Sequence, residues 1–194
     1  AAGLPFRRLA SGSAAVLHQG KAIAQQCSPG LPPPPVTGTV LPATACVIHG
    51  DAVPGNILAS DQGVVLIDWQ CPGMGDPTED LATLMSPALM WLYTGRKPAE
   101  GWAEDLLAAY PDPQTVARTR ALLPLYRWRI IAHCAWKAAR GHAAYATALQ
   151  IEQALSEGIA SRVFVVEAEC LPPETGNSDH VYVLSAIGRN RIGL

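Results

Sequence analysis

Of the three aspartates in the stretch VIHGDAVPGNILASDQGVVLIDWQ, residues 47–70, two stand with an asparagine at separations that suit work on a phosphoryl group. Asp51 and Asn56 lie five residues apart on one loop, and Asp68 follows the apolar run Val64 to Ile67. A loop and the end of the strand after it can converge on one small volume. Transfer from ATP needs a carboxylate at the acceptor hydroxyl and oxygen ligands that hold magnesium against the phosphates. The three side chains are of those types. Singly, Asp51 and Asn56 are also ordinary turn residues. Asp68 is harder to dismiss, because an acid placed directly after four apolar residues is costly to bury unless it is paired or metal-bound.

The elements around these residues must bring them together. ACVIHGD and VVLIDW read as short strands flanking the loop, and SDQG supplies turn chemistry before the second. Upstream, Ser13 to Gln26 is helix-compatible, and CSPGLPPPPVTG is a connector in which proline removes donors and restricts its neighbours. Downstream, Asp76 as N-cap, Pro77 as the first helical residue and Glu79 as a capping-box acid predict a helix that ends near Met85. Ser86-Pro87 starts another, which Gly95 ends, and further helices are expected at Ala99 to Tyr110, Pro113 to Arg140 with a kink at Pro124, and His142 to Glu157. RVFVVEAEC and HVYVLSAIG then read as two strands that match nothing before them.

The linked motifs HGDAVPGN, IDW and GDPTEDLA resemble the hallmark of the aminoglycoside phosphotransferase and choline kinase family, over Pro42 to Gly95. The resemblance implies an α+β fold: the mainly helical C-terminal lobe of a protein-kinase-like fold, with a small β-hairpin carrying the catalytic loop. It implies Asp51 as catalytic base, His49 as a prop for the loop, Asn56 and Asp68 as magnesium ligands, and Asp80 as an acid that ties its helix back to the loop. ATP and Mg2+ are the implied cofactors, and the implied acceptor is a hydroxyl of a small, amine-bearing molecule. On this reading residues 1–40 are helix and connector, 41–158 the phosphotransferase lobe and 159–194 an unplaced tail.

The family's N-terminal lobe, with its phosphate-covering loop and nucleotide lysine, is expected to be absent. Only 48 residues precede His49, and Lys21, the one lysine upstream of Asp51, sits in a helical stretch that follows no strand. A catalytically inactive kinase-like binding or scaffold module is the competing reading. A metal-dependent hydrolase would need more acids or histidines than this loop supplies. Trp91, Trp102, Tyr126, Trp128 and Trp136, with Glu104 and Asp105, are the aromatic and acidic residues available to an amine in the helical region. His18, His133, His142 and His180 show no metal-ligand spacing and read as surface or core.

Composition bounds the rest. A chain of 194 residues, 49% apolar and 15% charged, suits one globular domain. A net charge of −2 gives no electrostatic reason for a nucleic-acid or membrane partner. Five scattered cysteines without a C-x-x-C pair read as reduced thiols of a cytoplasmic protein. The oligomeric state has no signature here.

Overall fold

A computed structural model describes residues 6–27 and 30–160; the two strands expected in the tail lie outside the described residues. The fold is α+β and dominated by helices. Strands β1 (Arg7–Arg8), β2 (Cys46–Ile48) and β5 (Gly73–Gly75) form one sheet in the order β1-β5-β2, while β3 (Ile57–Ser60) and β4 (Gly63–Leu66) form an antiparallel hairpin. The helices are α1 (Ser13–Ala24), α2 (Thr78–Leu84), α3 (Pro87–Thr94), α4 (Trp102–Ala109), α5 (Pro113–Ala138) and α6 (Ala143–Ala160).

The helix starts follow local chemistry. Ser86 Oγ accepts the Leu89 N–H at 3.1 Å with Pro87 behind it, and Gly95 closes α3 in the left-handed conformation, φ 70°. Asp112 caps α5 by accepting the N–H groups of Gln114 and Thr115, and the helix continues through Pro124. At α2, Asp76 Oδ1 accepts the Thr78 N–H at 3.1 Å, so Pro77 lies just before the first helical residue. Glu79 does not close a capping box; its carboxylate reaches Arg129 of α5 instead, at 3.1 Å.

The hairpin is arranged differently from the expectation that it carries the loop. The reversal at Asp61–Gln62 pairs β4 with β3, which follows the loop, in the register Ile57↔Leu66 to Ser60↔Gly63. Strand β2, which precedes the loop, pairs with β5 beyond Asp68. The loop from His49 to Asn56 therefore bridges two sheets. Strand β5 escapes a sequence reading because Gly-Met-Gly lacks the β-branched or aromatic residues that mark strands.

Helix α5 is the hub of the packing. Leu122, Leu125 and Tyr126 meet Val16 of α1 and Ala82 of α2, and further along Ile130 and Cys134 meet Ala88 of α3 and Ala148 of α6. A third cluster joins Leu81, Leu84 and Met85 to Leu106 and Leu107 of α4. Helices α1, α2 and α6 pack on α5 and α3 packs on α6, and together the five line a common concavity beside the His49–Asn56 loop. Among the described residues no helix is long and apolar enough to cross a membrane.

Candidate functional site

The loop begins at the end of β2 with His49, which is 1% exposed and has partners for its backbone N–H and both ring nitrogens. Its backbone N–H and that of Gly50 donate to the two carboxylate oxygens of Asp80, at 2.7 and 2.9 Å, tying the loop to α2. Its Nε2 lies 2.8 Å from the Ile67 carbonyl, which can only accept, so Nε2 carries the proton. Nδ1 is then free to accept the Asp51 N–H at 3.3 Å. Trp69 covers the imidazole, ring centroids 4.6 Å apart, and donates its own Nε1–H to Leu66 O at 2.9 Å. Burial raises the Asp80 carboxyl above its ordinary value, although the two backbone N–H donors and His49 pull the other way.

Gly50 is required by its surroundings. It sits at φ 76°, and a Cβ there would overlap the Cys71 carbonyl oxygen. This places Asp51 partly buried at the wall of a cleft, with its carbonyl accepting the Val53 N–H and the Asn56 Nδ2–H, each at 2.9 Å. The same Nδ2 lies 3.2 Å from Asp51 Oδ2. Asn56 thus commits its amide nitrogen to Asp51, and its amide oxygen is the acceptor that remains.

Asp68 comes to the same end of the hairpin by main-chain pairing. The Ile67 N–H donates to Asn56 O at 2.9 Å, extending the β3–β4 ladder by one step, and Asp68 is the next residue. It is exposed and, among the described residues, the one non-glycine with positive φ, 61°. Aspartate tolerates this region better than most residues, and holding it there takes on the order of 1 kcal/mol from the surrounding structure. Asp51 and Asp68 also share a neighbour: both carboxylates add to the burial that raises the Tyr93 phenol.

The cleft beside Asp51 measures about 500 Å³, and its titratable wall residues are Asp51, Glu79, Tyr93, Arg129, His133 and Tyr145. Arg129 donates to Gln19 and Glu79 and lies over the Tyr126 ring, 4.9 Å from its centroid. Burial lowers the His133 imidazole, Lys137 and Arg129 push it further down, and Asp51 opposes them. Burial raises the Tyr145 phenol, with smaller contributions from Cys134 and Asp51. The cleft therefore holds two carboxylates, one of them paired with Arg129, beside a neutral-leaning imidazole and two protonated phenols.

None of the aromatic and acidic residues expected to meet an amine lines this cleft. Trp91 and Trp102 pack onto the helical core, Trp128 donates to Pro32 O, and Trp136 donates to the Gln26 side chain. Tyr126 is buried against Thr78, 3.0 Å between hydroxyls, and Glu104 pairs with Arg120 on the surface. Asp105 lies in the first turn of α4. His133, read from sequence as surface or core, is a cleft residue. One signal was available: Arg129 and His133 stand four apart on α5 and so share a helical face. Lys21 lines a separate, shallower groove with Trp128 and the connector prolines.

Among the described residues no group of three histidines, cysteines, aspartates or glutamates could hold a metal ion. An amide oxygen and an exposed carboxylate are donor types that suit magnesium, which keeps several waters and takes its other ligands from substrate phosphates.

No curated protein and no solved structure matches the chain. The model of the phosphotransferase enzyme family, APH, matches residues 11–122, which takes in α1, the loop, the hairpin and the first part of α5. That span is more than half of the 194 residues and contains Asp51, Asn56, Asp68 and Asp80. The chain belongs to the phosphotransferase enzyme family.

Proposed function

We propose that this protein is an ATP-dependent phosphotransferase that phosphorylates a hydroxyl of a small, amine-bearing molecule held in the cleft. The observation that carries the reading is Asp51: its carboxylate is steadied by Asn56 at the wall of a 500 Å³ cleft, next to the hairpin end that bears Asp68. The acceptor oxygen attacks the γ-phosphorus, its proton passes to the Asp51 carboxylate, and the bond to the β–γ bridging oxygen breaks with its electron pair leaving on ADP. Asn56 and Asp68 are the residues that would hold Mg2+, which when bound neutralises charge on the phosphates.

The chain's own groups divide the remaining work. Asp80 and His49 hold the loop so that Asp51 faces the cleft. Tyr93 and Tyr145 offer two aromatic rings to an ammonium group, an arrangement that stabilises organic cations, while Glu79 is shared with Arg129. Helices α1, α2, α3, α5 and α6 close around the acceptor and limit the water that could compete with its hydroxyl.

The test is transfer of labelled γ-phosphate from Mg-ATP to choline, ethanolamine, aminoglycosides and other amino alcohols, with product identified by mass. An Asp51→Asn protein is expected to lose at least about a hundred-fold in transfer rate, the scale of general-base catalysis. Undiminished transfer by Asp51→Asn would remove Asp51 from the mechanism.

A further inference from the structure

Tyr93 belongs to no motif and stands in the last turn of α3, yet three observations converge on it. Its ring lies against Gly55, where any Cβ would overlap it, so the loop residue before Asn56 is kept bare for this aromatic side chain. Its side chain lines the cleft together with Asp51 while remaining 49% exposed. Its hydroxyl is close enough to feel the charges of both Asp51 and Asp68. Packing on Gly55 needs only the ring, and a phenylalanine would serve. The hydroxyl makes no hydrogen bond among the described residues.

From this placement we infer that the Tyr93 hydroxyl donates a hydrogen bond to the phosphoryl group at the boundary between the acceptor cleft and the Asn56–Asp68 hairpin end. The inference rests on the phosphotransferase reading and adds to it a residue that touches the transferred group. Burial and the two carboxylates keep the phenol protonated, so it is a donor throughout the neutral range. It gives up no proton: the acceptor proton goes to Asp51, and Tyr93 shares its own hydrogen with an oxygen of the phosphoryl group. A donor aimed at that group acts where negative charge is spread over the equatorial oxygens.

The test uses the full chain labelled with 13Cζ-tyrosine, with magnesium pyrophosphate as the probe. Tyr93→Phe assigns the resonance and preserves the ring on Gly55. The Tyr93 signal is expected to move on adding magnesium pyrophosphate and to stay still in Asp68→Asn. Tyr93→Phe is expected to weaken pyrophosphate binding about five-fold, the scale of one hydrogen bond, while melting as the wild type does. A purely packing role would leave Tyr93→Phe with unchanged affinity, and pyrophosphate binding with a silent Tyr93 signal overturns this inference alone. If wild-type protein binds no magnesium pyrophosphate, both the inference and the phosphotransferase reading fall.

Discussion

The Nε2 atom of His49 lies 2.8 Å from the carbonyl oxygen of Ile67, so one imidazole joins the loop that bears Asp51 to the strand end that bears Asp68. The same ring accepts the Asp51 N–H and supports Trp69. His49→Ala leaves both backbone groups without their partner and opens a void beneath Trp69. Unfolding in urea should show a loss of about 2–4 kcal/mol. If Asn56 and Asp68 hold Mg2+ as proposed, affinity for it should fall as well, because the strand end that bears Asp68 loses one of its two contacts to the loop.

Gly50 and Gly55 should fail differently when each is replaced by alanine. Gly50→Ala places a Cβ against backbone at positive φ, where no side chain can yield, and a cost of about 2 kcal/mol or more is expected. Gly55→Ala meets only the Tyr93 ring, which can swing away. A double-mutant cycle with Tyr93→Ala should therefore recover most of the Gly55→Ala penalty, and thermal melts of the four proteins would show it.

Asp76 is buried and combines the Thr78 cap with an ion pair to the partly buried Arg118, 2.7 Å from Nε to Oδ2. Asp76→Ala should cost about 3 kcal/mol, chiefly by leaving the guanidinium without its counter-charge. Asp76→Ala combined with Arg118→Met should be more stable than Asp76→Ala alone, which chemical denaturation can measure.

Asp80 makes stability depend on pH. Its carboxyl is raised in the fold by burial, so between the ordinary value of 3.8 and the raised one the native chain binds more protons than the unfolded chain. Its contribution therefore falls as pH rises through that window. Melting temperatures followed from below the ordinary value upward should show this decline, and Asp80→Asn should flatten it. Asp80→Asn should also lower stability at neutral pH by about 1–3 kcal/mol, because an amide cannot accept from both His49 and Gly50.

The cysteines should divide by exposure. Cys71 is exposed, whereas Cys134 is buried and its thiol is pushed up to about 12. Brief alkylation of native protein followed by mass mapping should find Cys71 modified and Cys134 untouched until denaturant is added. Early modification of Cys134 would mean that the packing of α5 on α3 and α6 is looser than described.

Features that depend on a few neighbouring residues were legible in the chain. Ser86-Pro87 with Gly95, and Pro113 as a start, mark helix ends because capping and proline geometry act within one turn. HGD, the asparagine five residues on and the acid after an apolar run were likewise readable as one loop and one strand end, since a ladder step between Asn56 and Ile67 is a local consequence of the turn at Asp61–Gln62.

The walls of the cleft were decided by tertiary structure. Glu79 has the spacing of a capping-box acid, but it turns to Arg129 because α2 packs across α5 and brings a guanidinium within reach. Trp91, Trp102 and Trp136 had the composition of a cation site and went into packing or side contacts, and none of them lines the cleft. Tyr93, His133 and Tyr145 come from three helices whose relative placement no spacing along the chain encodes. By itself the sequence determined which residues could do the chemistry and the order in which they stand. Which side chains face Asp51 depended on how five helices pack, because burial of apolar area rewards any close arrangement and only the assembled core selects one.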